Sequence, residues 1–227
     1  MLFRSPMLGN EIVADHSDPA LARQAASALQ ELLRINPSYV PAYEMYAGLI
    51  GAMNDITTED TRIVAEGVRR YPTVVQLAVG QAACDLKAGH LQAAQEKIDA
   101  LKARGLPDGV VSYVGKIEAR IQAMEGLAQA QAAYDQGAMD RAHDALVHLP
   151  RASLLPEEQL RYENLLVAMA SVETLANVRA AIDRKDYEAA EVLLAGVPAE
   201  NLPEKIRAEV AALSAQITAG KNTAAKN

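Results

Sequence analysis

Apolar and polar residues follow helical periods along the chain, and residues 89–101 show the pattern plainly. Gly89 is followed by Leu91, Ala94, Ile98 and Leu101, at intervals of three, four and three. That spacing puts the four side chains on one stripe of a helix that begins just after a tight turn. The phrase returns as Gly137, Met139, Ala142, Leu146 and Leu149, and again as Lys185, Tyr187, Ala190, Leu194 and Val197, with its first residue 48 positions later each time. An earlier copy without the glycine runs Ala22, Ala25, Leu29, Leu32 and closes on Asn36-Pro37. Each copy reads as the second helix of a helix-turn-helix unit, so the chain is read as a repeat protein.

The segments between these copies supply the partner helices. Asp18-Pro19 reads as an N-cap with proline at the first helical position, opening a helix that runs to about Ile35. It stops before Asn36-Pro37, because a residue preceding proline is pushed out of the helical region. In the next helix Tyr43, Tyr46, Ala47 and Ile50 share one face, and Ala47 is small enough to let a neighbouring helix come close. Thr57 or Thr58 with Asp60 caps a helix that ends at Tyr71-Pro72. Leu106-Pro107, Leu155-Pro156 and Leu202-Pro203 each open a later helix. Two of these are long, about 25–29 residues each over 107–136 and 156–184, and a helix of that length spans ~40 Å. Gly126 could interrupt the first of them. Short second helices follow at Ala138–Leu149 and Asp186–Ala195. The two long-helix units repeat Leu127-Ala128, Ala132-Ala133, Asp135 and Pro150 unchanged as Leu175-Ala176, Ala180-Ala181, Asp183 and Pro198.

Pro37, Tyr43, Tyr46, Ala47 and Ile50 resemble the tetratricopeptide (TPR) signature of proline, aromatic, leucine, small residue and aromatic, and Gly89, Leu91, Ala94, Ile98 and Leu101 look like its second-helix half. The closing prolines Pro37 and Pro72 are 35 apart, near the roughly 34-residue TPR period. Two features depart from the pattern. The usual tryptophan is replaced by Tyr43 and then Ala78, and the helix at Thr58–Arg70 lacks the expected alanine. The resemblance implies an all-α fold, an α-solenoid of antiparallel helix pairs, and a bacterial TPR-containing protein read as a C-terminal fragment. The expected organisation is an N-terminal remnant at 1–17, TPR-like repeats at 18–103 and two long-helix units at 104–200. A capping helix at 201–219, with Ile206, Val210, Leu213 and Ile217 on one stripe, and a frayed tail at 220–227 complete it.

Composition sharpens this picture without adding chemistry. Half of the residues are hydrophobic, yet there is one Phe and no Trp, which favours alanine-rich helices over a sheet. A formal charge of −7 makes nucleic acid an unfavourable partner, since phosphate binding needs a basic face. No uninterrupted run of 18 apolar residues is present, so no membrane span is expected. The single Cys84 rules out an internal disulfide and reads as a small packed residue, because no His, Lys or Arg adjoins it.

The beginning of the chain is unusual. Met1–Met7 lacks the apolar core of a signal peptide, and Leu2-Phe3-Arg4-Ser5 matches one reading frame of a common sequencing-adapter end. The expectation is an artefactual start with native sequence missing upstream. A genuine start at Met1 would imply a soluble cytoplasmic protein.

Candidate catalytic groups have simpler explanations. His143 and His148 are five apart, which rotates them about 140° around a helix, too far for a shared metal. His90 follows a turn glycine and His16 lies in the N-terminal segment. Glu157 and Glu158 follow Pro156 in a first helical turn, where negative charge suits the helix dipole. Arg69, Arg70, Lys102 and Arg104 read as C-terminal helix cations. No phosphate loop, nucleophile elbow or paired-cysteine site occurs. No cofactor, no metal and no enzyme activity are expected.

Repeat arrays act through the concave face of their first helices. In the TPR register, Glu44 and Gly48 of one repeat and Val79 and Ala83 of the next face that groove. Some TPR proteins clamp a chaperone's terminal carboxylate with lysine and asparagine there. These positions are acidic or apolar here, so that activity is not implied. An apolar helix or peptide segment suits them better; alternatively, Val79 and Ala83 simply pack against the next repeat. The expected function is therefore a protein-interaction scaffold. The alternative is a C-terminal appendage of a larger bacterial enzyme or redox co-chaperone, since the long-helix units resemble arrays attached to thioredoxin-like co-chaperones and peptidase-like proteins.

Overall fold

In the computed structural model, which describes residues 18–198 and 202–224, all regular structure is helical and no strand occurs among the described residues. The expected remnant at 1–17 lies outside them, as do 199–201 and 225–227. In chain order the helices are α1 (Pro19–Ile35), α2 (Val40–Leu49), α3 (Thr58–Arg70), α4 (Val75–Lys87), α5 (Leu91–Ala103), α6 (Asp108–Asp135), α7 (Met139–Val147), α8 (Pro156–Asp183), α9 (Tyr187–Ala195) and α10 (Glu204–Ala224). A short 3-10 turn at Arg151–Ser153 precedes α8.

Local chemistry sets these boundaries. The Asp18 carboxylate accepts from the Ala20 N–H at 2.8 Å, and Pro19 then opens α1. Thr57 and Asp60 form a capping box: Asp60 N–H donates to Thr57 Oγ1 at 3.2 Å, and Thr57 N–H to Asp60 Oδ2 at 2.6 Å. Three turns are built alike. After α4, α6 and α8, Gly89 (φ 77°), Gly137 (φ 75°) and Lys185 (φ 62°) adopt the left-handed conformation. In each turn the next N–H reaches back five residues: His90 to Asp85 O, Ala138 to Ala133 O and Asp186 to Ala181 O, all at 2.9 Å. This is the Schellman closure, which satisfies carbonyls the helix end leaves open. The 48-residue echo in the sequence is thus an echo in backbone geometry.

The chain forms two compact units that divide between Glu125 and Gly126. The division falls inside α6, because Val114, Ile117 and Ile121 join the first core. In the first unit α1 packs on α2, α3 on both α2 and α4, α2 on α4, and α4 on α5. Tyr43, Tyr46, Ala47 and Ile50 are all buried, as their shared face required. Gly67 occupies the small position in α3: a Cβ there would stand 2.8 Å from the Tyr43 ring. Glycine is therefore the residue that lets α3 meet the Tyr43 ring. Gly80 of α4 lies against Ala47 in the same way, which lets α2 and α4 approach closely.

In the second unit α8, α9 and α10 pack mutually. The long helix α6 is continuous through Gly126, and α8 is equally unbroken; each has 28 residues. By length and composition α8 is apolar enough to cross a bilayer. Its buried stripe, Tyr162, Leu165, Ala168, Ser171, Leu175, Val178 and Ala181, gives that apolarity a packing use within the unit. The last helix runs past the expected end near Thr218, to Ala224, so part of the expected tail is helical. Two contacts hold it there: Gly220 lies against the Tyr187 ring, and Lys221 pairs with Glu191 at 2.5 Å.

Candidate functional site

The four groove residues do not share one environment. Glu44 and Gly48, on α2, are half-buried. Val79 and Ala83, on α4, are only 2% and 3% exposed and belong to the first core. Their side chains leave no surface for a partner, so the packing alternative describes them and the groove assignment is corrected for both. The physical reason is the close approach of α2 and α4 through Ala47 and Gly80, which draws neighbouring α4 side chains into the core.

Beside that helix pair lies a polar cluster around Asp60, which is fully buried. Its carboxylate accepts from Arg23 Nη1 at 2.9 and 2.8 Å, from the Thr57 hydroxyl at 2.8 Å and from the Tyr46 hydroxyl. Gln30 Nε2 donates to the Tyr46 oxygen at 2.7 Å, and Arg23 Nη2 donates to the Asp55 carbonyl. Burial alone pushes the Asp60 carboxyl up. The hydrogen bonds from Tyr46, Thr57 and Arg23 together outweigh it and hold the group below the usual range. Burial, followed by the bond to Asp60, pushes the Tyr46 phenol well above its ordinary value. The carboxylate is charged and saturated with donors, and the phenol stays protonated. That arrangement ties α1 to α2 and α3 and leaves no lone pair free for proton transfer.

Cys84 is buried near this cluster, and burial, with the charges of Asp85 and Asp60, pushes its thiol up to about 12. A thiol so protonated is a poor nucleophile, which agrees with its reading as a packed residue. Neighbouring Asp85 pairs with Lys97 at 2.6 Å, and Lys87 Nζ donates to the Met53 carbonyl at 2.6 Å. Among the described residues no group of three or more His, Cys, Asp or Glu is placed to hold a metal. His90, His143 and His148 are exposed. Arg69 and Arg70 both pair with Glu66 of their own helix, and Lys102 reaches Glu118 at 2.8 Å.

Sequence reasoning passed over one residue of interest. Tyr113, on α6, reaches back to Gly51, just beyond α2, and sets its ring edge where a side chain at 51 would lie. Its hydroxyl is buried without a hydrogen-bond partner, and burial pushes the phenol up to about 12. A lone tyrosine in the second turn of a helix carries no one-dimensional signal of such a reach. Glycine at 51, soon after the Tyr46-Ala47 face, is the one hint in the sequence.

No protein-family model, no curated protein and no solved structure matches the chain.

Proposed function

We propose that the chain is a helical-repeat interaction module, a TPR-like α-solenoid, that holds a protein or peptide segment against the face carrying Glu44 and Gly48. The observation that carries this reading is the thrice-repeated turn at Gly89, Gly137 and Lys185, each joining a first helix to a shorter or equal second helix with the same hydrogen bonds. Repetition of one supersecondary unit is how solenoids are built. Direct packing of α2 on α4, both first helices in this scheme, supports it. Glu44 and Gly48 are half-buried positions of α2, so recognition centres on α2, with one carboxylate one helical turn from a glycine. Such a module acts by holding its partner in place and needs no catalytic residue, cofactor or metal.

The test is position-specific photo-crosslinking. A photoreactive amino acid at Glu44 should capture a discrete partner in the source cells, while the same group at exposed Ala25 on α1 should not. Equal products from both positions would remove the basis for a specific face.

A further inference from the structure

We infer that α1 carries an open docking stripe, and that the segment at 7–16 of the same chain covers it as a short helix. The inference goes beyond the binding role proposed for α2 and does not depend on it.

Two apolar stripes run along α1. Ala22, Ala26, Leu29 and Leu33 form one and are buried. Leu21, Ala25, Ala28, Leu32 and Ile35 form the other, at intervals of four, three, four and three, within about 80° of arc around the helix. All five are exposed, Leu21 at 62% and Ile35 at 70%. Alternation of three and four is the seam along which one helix packs lengthwise on another.

The same positions are covered elsewhere in the chain. In the repeated phrase Ala25 matches Ala94, Ala142 and Ala190, and Leu32 matches Leu101 and Leu149. Those three alanines are fully buried, and the two leucines are 5% and 7% exposed against 38% for Leu32. The helix before each packs on it where α5 meets α4 and α9 meets α8. What precedes α1 is the stretch 1–17, outside the described residues.

Its sequence suits the role. Leu8-Gly9 and Ile12-Val13 repeat, at the same spacing, Val79-Gly80 and Ala83-Cys84 of α4, the helix that packs on α5. As a helix, 7–16 sets Leu8 and Ile12 one turn apart on one face. Ten residues span ~15 Å, close to the ~17 Å from Leu21 to Leu32. The segment joins α1 through Ser17 and Asp18, next to the Leu21 end of the stripe, so it docks without the entropy cost of bringing two molecules together. A second copy is the weaker occupant: a stable interface takes roughly 20–30 residues a side, and the stripe offers five.

The experiment is thiol labelling of the full chain, read by peptide mass so that Cys84 is followed separately. Ala25→Cys should label at least tenfold more slowly than Ser27→Cys, a position that is also exposed but lies off the stripe. Adding Leu8→Asp and Ile12→Asp should raise the Ala25→Cys rate to that of Ser27→Cys and leave the latter unchanged. Equal rates from the start would overturn the inference, as would protection that survives the two aspartates. Protection that grows with protein concentration would overturn it too, because the cover is then a second copy. Neither Ala25 nor Ser27 belongs to the buried core, so both variants should fold. Crosslinking from Glu44 tests a different face, and either result can fail alone.

Discussion

Replacing Gly80 with alanine adds a single methyl group where α4 meets α2. Placed on the backbone as it stands, that carbon would lie 2.5 Å from Ala47 Cβ, 3.0 Å from its Cα and 3.1 Å from its carbonyl oxygen. Comfortable carbon–carbon separation is about 3.5–4.0 Å, so the gap must widen by roughly 1 Å. Two of the three obstructing atoms are backbone, which no rotamer change can move aside, so the helices themselves have to part. Overpacking of this kind costs about 1–3 kcal/mol, and alanine's better helix propensity returns about 1 kcal/mol. Gly115 supplies the control. It lies on the exposed side of α6, where an added methyl group would have nothing within 4 Å. Gly115→Ala should therefore stabilise by up to about 1 kcal/mol. Because both variants make the same chemical change in a helix, the difference between them isolates the packing cost, about 1–3 kcal/mol. Urea denaturation followed by far-UV circular dichroism, with hydrogen exchange to assign the transition to the first unit, measures both. If Gly80→Ala proves as stable as Gly115→Ala, α2 and α4 do not approach through Gly80, and the packing described for this core is wrong.

Three further outcomes are expected. The Asp60 carboxyl is held below the ordinary aspartate range, so its contribution to stability is fully present above that range and is lost as pH falls through the folded-state value. Asp60→Asn should flatten the acid limb of a stability–pH curve for the first unit and lower its stability near neutrality by about 1–3 kcal/mol by leaving buried donors poorly matched; an unchanged acid limb would count against the buried carboxylate. Lys185 holds a left-handed conformation that costs an ordinary residue about 1–2 kcal/mol, so Lys185→Gly should raise the melting temperature of the second unit, and a drop would refute the turn geometry. Ala94 is fully buried, so Ala94→Leu should destabilise by about 1–3 kcal/mol, whereas the same change at exposed Ala100 of the same helix should be nearly neutral in denaturation experiments.

Helix existence and most helix ends are legible in the sequence because they depend on neighbours in the chain. Asp18-Pro19, Thr57 with Asp60, and the turn residues 89, 137 and 185 act within a few positions of themselves, and their spacing carries the signal. Long-range chemistry is not legible. Asp60 can be read as a cap, but its bond to Arg23 joins residues 37 apart, and no periodicity foretells which arginine turns inward. Register alone assigns Val79 and Ala83 to a groove. Whether such positions face a groove or the next helix depends on how closely α2 and α4 approach, and that distance is set by the pairing of Gly80 with Ala47. The helix α10 outruns its expected end for a related reason: Tyr187 and Glu191, from another helix, hold Gly220 and Lys221 in place.

The one cysteine of the chain gives it a native clock. Cys84 is 1% exposed, and its thiol is pushed up to about 12, so the folded first unit shields it twice, from contact with reagent and from ionisation. A disulfide reagent can then react only after a local opening, at the opening equilibrium multiplied by the rate of a free thiol. Because the second unit has no cysteine, the labelling rate reports the breathing of one half of the molecule in an unmodified protein. Any ligand that braces the first unit should slow that clock in proportion to its occupancy.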